Sequence, residues 1–265
     1  MSVRAFTYLS VLLLACVASA QTWASPAMNA LTELRAASAA VPDARRGDEI
    51  FATCAACHGV DGSGLPDGSV PVIGSQYYPV LLRQLVDYRH AERWDIRMEH
   101  VSRLNVMQTP QDLADVAALI ASLQPMGPTV HGSGEFLASG AKVYFERCQA
   151  CHGATGQGNA DRGIARLAGQ HPEYLLRQFI DVVEGRRPRL SNTHTPLMRE
   201  LQRTELEGIA DYLSRTRRPR GDVVPLFQAW RCGAGVAVFG SVRNTCRLFG
   251  RLNLASRRNT RISSR

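Results

Sequence analysis

The five-residue pattern Cys-x-x-Cys-His occurs twice in this 265-residue chain. "CAACHG" begins at Cys54, and "CQACHG" begins at Cys148, 94 residues later. The similarity continues beyond the motif, because "LLRQLVDY" from Leu81 and "LLRQFIDV" from Leu175 each begin 27 residues after the first cysteine. Internal similarity of this length indicates that one structural unit has been duplicated.

Hydrophobic periodicity predicts the same three helices in each copy. One helix runs into the first cysteine, from Gly47 in the first copy and from Gly140 in the second. A second helix and a closing helix each carry an apolar stripe along one face. The stripes comprise Val80, Leu81, Leu85 and Val86, then Leu113, Val116, Ala117 and Ile120, then Leu175, Leu176, Phe179 and Ile180, and finally Leu206, Ile209, Ala210 and Leu213. No stretch alternates as a strand, so the sequence predicts an all-α chain of two tandem helical domains.

Composition divides the chain into segments around these two copies. The domains are predicted at residues 44–123 and 135–217, joined by a linker at 124–134 that is rich in proline and glycine. The remaining 218–265 is predicted to be a poorly ordered tail. Residues 217–265 contain eleven arginines and one acidic residue, which accounts for the formal net charge of +8.

The N-terminus carries the features of an export signal. Arg4 precedes an apolar run that is too short to span a bilayer, and small residues follow it, so residues 1–24 are predicted to be a signal peptide cleaved after Ala20 or Ala24. An alternative is a lipoprotein signal ending before Cys16, which would tether the chain to a membrane. Both alternatives place the mature chain in the periplasm, dissolved or membrane-anchored, and make nucleic acid an improbable partner for the basic tail.

The duplicated motif fits covalent haem better than its alternatives. A redox dithiol normally opens a helix after a strand, and a zinc site needs further ligands at suitable spacing. Structural disulfides are a third alternative in an exported chain. Haem attachment uses every motif residue, since two thiols bond the porphyrin and the adjacent imidazole binds the iron. The predicted attachment residues are Cys54, Cys57, Cys148 and Cys151, with His58 and His152 as iron ligands.

The two copies resemble class I cytochrome c domains, and their tandem order resembles the dihaem cytochrome c4 family. The similarity covers residues 44–217, and "CHGATGQGNADRGIARLAGQHPEYLLRQF" from Cys151 is its most specific stretch. The resemblance implies two haem c groups in cytochrome c-like folds. It also implies that a loop carbonyl fixes each motif histidine. Family domains usually place a proline there, which Pro71 matches, whereas Ala165 takes the aligned place in the second copy.

The resemblance implies a sixth iron ligand in each domain, which the family takes from methionine. In the first domain Met98 is favoured over Met107, because apolar and small residues follow it as they do in related domains. In the second domain Met198 is favoured over His194, because thioether ligation is the norm in the family. The alternative is His194, which lies seven residues before Leu201 and is therefore nearer the usual ligand position. Arginines in "ERWDIR" and "GRRPR" precede these ligands, and either haem propionates or solvent would be their partners.

The predicted function is single-electron transfer between respiratory partners. These partners would be a quinol-oxidising complex, a dehydrogenase or a terminal oxidase, and no enzymatic activity is expected. Two alternatives remain at this point: a dihaem peroxidase, and a cytochrome subunit of a membrane-bound dehydrogenase or oxidase complex. The remaining histidines, His90, His100, His131 and His171, are expected at the surface or in loops.

Overall fold

The structure, a computed structural model, describes residues 26–128 and 130–218, which belong to one compact unit. The helices of the first half are α1 (Pro26–Ala39), α2 (Ala44–His58), α3 (Tyr78–Arg89), α4 (Ile96–Ser102) and α5 (Pro110–Ser122). Those of the second half are α6 (Leu137–Arg147), α7 (Gln149–His152), α8 (Pro172–Val183), α9 (Ser191–Arg199) and α10 (Arg203–Arg215). Short 3₁₀ turns occupy Asn105–Met107 and Pro188–Leu190. No strand forms within the described ranges, so the all-α prediction is confirmed there.

The predicted signal at residues 1–24 lies outside the described residues, as do Cys16 and nearly all of the predicted tail. The helices that hydrophobic periodicity predicted are present in both halves. Four of the described helices were not predicted: α1, the four-residue α7 within the second motif, and the short α4 and α9 in the segments that carry the sixth-ligand candidates. Each of the last two spans only two or three turns, too few to give a clear periodic signal.

In each half the helix that enters the motif crosses the closing helix at a glycine. A Cβ at position 47 would overlap the backbone of Asp115, and a Cβ at position 140 would overlap the backbone of Gly208. Glycine therefore permits the close approach of α2 to α5 and of α6 to α10. The predicted stripes of α5 and α10 are buried at these crossings, with Leu113 and Leu213 fully enclosed.

Helix α1 packs across α3 and α5 and is held there by ionic contacts. Glu33 forms an ion pair with Arg89 at 2.5 Å and contacts His90 at 2.7 Å. Ala30 and Ala37 are fully buried, so small side chains let α1 lie close to the first domain. This helix extends the first half beyond the repeated unit.

The two halves contact each other through reciprocal glutamine side chains. The Gln170 amide accepts a hydrogen bond from Val72 N–H at 2.9 Å and donates to the Val72 carbonyl at 2.7 Å. The Gln76 amide makes the same pair with Arg166, accepting from its N–H at 3.0 Å and donating to its carbonyl at 2.9 Å. Gln76 and Gln170 are 94 positions apart, and so are Val72 and Arg166. This is the offset of the duplication. The interface therefore has the self-complementary pattern of a two-fold dimer, within one chain.

A second reciprocal pair flanks the glutamines. The Tyr77 hydroxyl donates to the Gln157 carbonyl at 2.8 Å, and His171 Nε2 donates to the Ser63 carbonyl at 3.0 Å. These residues are also related by the offset of 94. His171 lies in the loop before α8, one of the two positions expected for it, and it is buried in this interface, with 4 % of its surface exposed.

Candidate haem sites

The last turn of α2 brings the first motif together. Cys54, Cys57 and His58 stand at i, i+3 and i+4 of the helix, so their side chains share one face. Gly59 then ends the helix with a φ of +74°, a conformation that favours glycine. Cys57 is exposed, whereas Cys54 is half-buried and His58 is 6 % exposed. The motif therefore presents one thiol at the surface and the imidazole in the interior.

The second motif is built on a broken helix, and its histidine is half-buried. Cys148 stands between α6 and α7, and His152 is the last residue of α7. Gly153 follows with a φ of +79°. Cys148 is half-buried and Cys151 is exposed, which repeats the arrangement in the first half.

Each motif histidine is held by a backbone carbonyl thirteen residues later. His58 Nδ1 lies 3.1 Å from the Pro71 carbonyl oxygen, and His152 Nδ1 lies 3.1 Å from that of Ala165. Donation from Nδ1 leaves the Nε2 lone pair available to a metal. The expected carbonyl contact is thus confirmed in both halves, and alanine replaces proline without a change in this distance.

Burial sets the protonation of the motif side chains. It lowers the pKa of His58 and of His152, which favours the neutral imidazole that binds metals. Burial also raises the pKa of the Cys54 and Cys148 thiols to about 11. A redox dithiol needs a thiolate at neutral pH, so this environment argues against that alternative. The zinc alternative gains no support either, since residues 26–128 and 130–218 contain no cluster of three or more suitable ligands.

The sixth-ligand candidates of the first half differ in burial: Met107 is a member of the first hydrophobic cluster, and Met98 packs against it. Met98 is half-buried on α4 and packs, like Cys54, against the first hydrophobic cluster. Asp95 caps α4 by accepting from Met98 N–H at 3.2 Å. Met107 is 1 % exposed and lines a groove with Asn29 and Glu33 of α1.

In the second half both candidates lie on α9. The rings of His152 and His194 contact each other, with centroids 6.1 Å apart and planes at 66°. Met198, one helical turn further along, packs against the second hydrophobic cluster with Leu201. The structure thus brings His194, rather than a methionine, into ring contact with the motif histidine.

Two of the arginines noted in the sequence converge between the halves. Arg93 is 3 % exposed and donates to the Tyr174 hydroxyl and to Gln178 Oε1, both at 2.6 Å. Arg187 donates to the same Gln178 oxygen at 3.2 Å. Burial lowers the pKa of Arg187 to about 10, and repulsion from Arg93 adds to the effect.

Neither Arg93 nor Arg187 forms an ion pair with a carboxylate of the described residues. Buried cations need neutralising partners, because desolvated charge is costly. The two propionates of a haem are anions of the right kind, so these arginines fit the group that the motifs would attach. The sequence leaves propionate and solvent as alternative partners for these arginines, and the burial of Arg93 argues against solvent for that residue.

Comparison with known proteins agrees with this geometry. The family model "Cytochrome c" matches the chain twice, over residues 44–124 and 137–217. Cytochrome c4 of Pseudomonas aeruginosa is 33 % identical over 183 residues, which cover 66 % of this chain and 89 % of that protein. A thiosulfate dehydrogenase electron acceptor of Stutzerimonas stutzeri is 32 % identical over 107 residues, covering 40 % of this chain and 48 % of that protein.

A solved structure gives the same result for the fold. The crystal structure of reduced recombinant cytochrome c4 from Pseudomonas stutzeri matches with a TM-score of 0.58 and 27 % identity, covering 66 % of this chain and 100 % of that one. Two cytochrome c domains carry two covalently bound haem c groups, whose function is electron transfer. This chain belongs to the cytochrome c family, as a dihaem protein of the cytochrome c4 kind.

Proposed function

We propose that the chain relays single electrons between exported redox proteins, with one haem in each half. Cys54 and Cys57 would attach the first haem, and His58 would bind its iron. Cys148, Cys151 and His152 would do the same in the second half. Bound haem supplies a reversible one-electron couple at the iron. The observation that carries the proposal is the identical carbonyl contact, 3.1 Å in each half, that aims Nε2 of each motif histidine.

Met98 is the better sixth ligand for the first iron. Burial lowers the pKa of His58 and the positive charge of Arg97 adds to this, whereas the Pro71 hydrogen bond and the negative charge of Asp95 oppose it. The start of α4 therefore lies close to His58, and Met98 stands in its first turn. Met107 has a sufficient role in packing, because it is enclosed beside α1.

A side chain available on each side of the motif histidine's iron would support a carrier rather than a peroxidase. A peroxidase must leave one iron open to its substrate, whereas Met98 in the first half and a residue of α9 in the second would each supply a sixth ligand. The protein then contributes rigid ligands and a dry interior, which limit rearrangement when the charge of the iron changes. No pocket for a substrate is needed in this role.

The surface positions of the second cysteines support transfer at the haem edge. Cys57 and Cys151 are exposed, so the bond that each would make to a haem lies at the surface. Val60, two residues beyond His58, is 83 % exposed and offers an apolar contact near the first edge. Small contacts of this kind suit weak complexes that form and separate quickly.

A dehydrogenase is the partner class that we propose as electron donor. The support is the partial match to a thiosulfate dehydrogenase electron acceptor. Stopped-flow mixing of the oxidised holoprotein with a thiosulfate dehydrogenase and thiosulfate should reduce both haems, whereas thiosulfate alone should not. A rate no faster than the enzyme-free control would contradict this choice of donor.

The proposed location is the periplasm, reached through the signal predicted at residues 1–24. No helix among residues 26–128 and 130–218 is long and apolar enough to cross a bilayer. N-terminal sequencing of mature protein should place the new terminus after Ala20 or Ala24. A terminus at Cys16 that carries lipid would instead support the tethered form.

Carbon monoxide binding tests the carrier proposal and the role of Met98 together. The reduced holoprotein should bind carbon monoxide slowly at both haems, since each iron would already hold two protein ligands. Met98→Leu should open the first haem to fast binding, whereas Met107→Leu, a matched change of similar volume, should not. Fast binding to one haem of the unchanged protein would favour the peroxidase, and fast binding only in Met107→Leu would reverse the ligand assignment.

A further inference from the structure

The imidazole of His194 lies where a second axial ligand of the second haem would be expected. Its ring centroid is 6.1 Å from that of His152. An imidazole nitrogen lies about 2 Å from a transition metal, and its ring centroid lies roughly 1 Å further, so two imidazoles across one iron stand roughly 6 Å apart. We propose that His194, rather than Met198, is the sixth ligand in the second half. This inference rests on the proposed binding of the second iron by His152.

Hydrogen bonding leaves the correct nitrogen of His194 available. Its Nδ1 lies 2.8 Å from Thr193 Oγ1, and this hydroxyl donates to the Leu190 carbonyl at 3.4 Å. In the tautomer in which the Thr193 oxygen accepts from Nδ1–H, the lone pair resides on Nε2. The contact between His152 Nδ1 and the Ala165 carbonyl has the same effect on the opposite ring. Both imidazoles thus have an Nδ1 partner that is compatible with the tautomer a metal ligand needs.

The backbone beneath His194 is also fixed. The Thr195 hydroxyl donates to the Val182 carbonyl at 3.1 Å, which anchors α9 to the end of α8. A ligand held by its own hydrogen bond on an anchored helix keeps its orientation without the haem. This is the support that ligating histidines commonly have in metal sites.

Met198 has a different role in this arrangement. It follows His194 by four residues, one helical turn along α9, so the two side chains share a face and only one of them can fill a single ligand position. Met198 packs against the cluster that contains Leu206 and Ile209. Core packing is an ordinary use of methionine and explains its position.

In the first half the histidine at the equivalent position is exposed. His100 lies 94 positions before His194 and is exposed on α4, and Met98 on the same helix is the half-buried residue. The two irons would therefore differ in one ligand: imidazole and thioether in the first half, two imidazoles in the second. A thioether raises the haem potential, so the first haem would be reduced before the second and would accept electrons from it.

Spectroscopy of the oxidised holoprotein tests this assignment, with haem content measured on the same sample. Low-temperature electron paramagnetic resonance should give one histidine–methionine and one bis-histidine signal. The near-infrared band of thioether-ligated ferric haem should have the intensity of one haem per chain. Fewer than two haems per chain would contradict the proposed function, whereas two haems with two thioether bands would overturn only the His194 assignment.

Three variants sharpen the result. Met198→Leu should leave both signals unchanged, and His194→Met should convert the bis-histidine signal and double the thioether band. Met98→Leu should abolish the thioether band that remains in the unchanged protein. Loss of half the thioether band in Met198→Leu would overturn the proposal. Because Met198→Leu preserves side-chain volume, it decides the question even if the histidine variant fails to mature.

Discussion

Replacing Gln170 with alanine tests how the two halves are held together. The Gln170 amide accepts from the N–H and donates to the carbonyl of Val72, which is buried. Alanine removes both hydrogen bonds and leaves two backbone groups in the interface without their partner. Gln76→Ala should act in the same way on Arg166, because the two contacts are related by the duplication.

The expected loss follows from the number of bonds. A neutral hydrogen bond contributes about 1 kcal/mol net, and a buried group left unpaired costs about 1–3 kcal/mol. Loss of both bonds should therefore lower the free energy of unfolding by about 2–4 kcal/mol for each glutamine. That is a large fraction of the roughly 5–15 kcal/mol that stabilises a typical domain.

Guanidinium denaturation of the oxidised holoprotein, followed by far-ultraviolet circular dichroism, measures this loss. Gln84→Ala is the matched control, since its side chain on α3 forms no hydrogen bond to another described residue. The control should change stability by no more than about 0.5 kcal/mol. If Gln170→Ala lies as close to the unchanged protein as the control does, the reciprocal contacts do not hold the halves together.

Three further variants test other parts of the account. Gly140→Ala places a Cβ against the backbone of Gly208 and should cost about 1–3 kcal/mol in denaturation, whereas Lys142→Ala on the exposed face of α6 should cost little. Pro71→Ala should leave the potential of the first haem nearly unchanged in a redox titration, because a carbonyl still holds His58, as the Ala165 carbonyl holds His152; a clear drop would contradict this. Burial opposes ionisation of Asp211, but hydrogen bonds from Arg215 and from Gly134 and Gly132 N–H outweigh it and hold the pKa of Asp211 below its ordinary value. The carboxylate therefore stabilises the fold above the ordinary aspartate pKa of about 3.9, and the effect is lost as pH falls through the lower folded value. Asp211→Asn should accordingly be destabilised at neutral pH and approach the unchanged protein in acid; a gap that stays constant would refute this.

The periodic helices could be predicted because burial of one face leaves a pattern in the sequence. The stripe of α5 was predicted from its spacing, and Leu113, Val116, Ala117 and Ile120 are all buried. Helix α1 was not predicted, because the contacts that hold it are distant in sequence, as between Glu33 and Arg89. The reciprocal interface was not predicted either: the duplication gives the offset of 94 but not which residues meet.

The motif residues could be predicted from the sequence, whereas the sixth ligands could not be assigned from it alone. Cysteine and histidine ligands are adjacent in the motif, so the chemistry can be inferred from a few contiguous residues. A sixth ligand comes from a separate segment of variable length, and spacing alone left His194 and Met198 as alternatives. The distance between the rings of His152 and His194 is a property of the folded chain, and it is the observation that supports the proposal of His194 as the sixth ligand.

Mass spectrometry of tryptic peptides tests the central claim, that each half attaches its own haem through both motif cysteines. Cleavage at arginine should release residues 47–83 and 148–162, each with one complete motif. From mature protein made in a host competent in cytochrome c maturation, both peptides should carry the mass of one haem. Either peptide at the mass of bare polypeptide, or with its cysteines joined in a disulfide, would contradict the account.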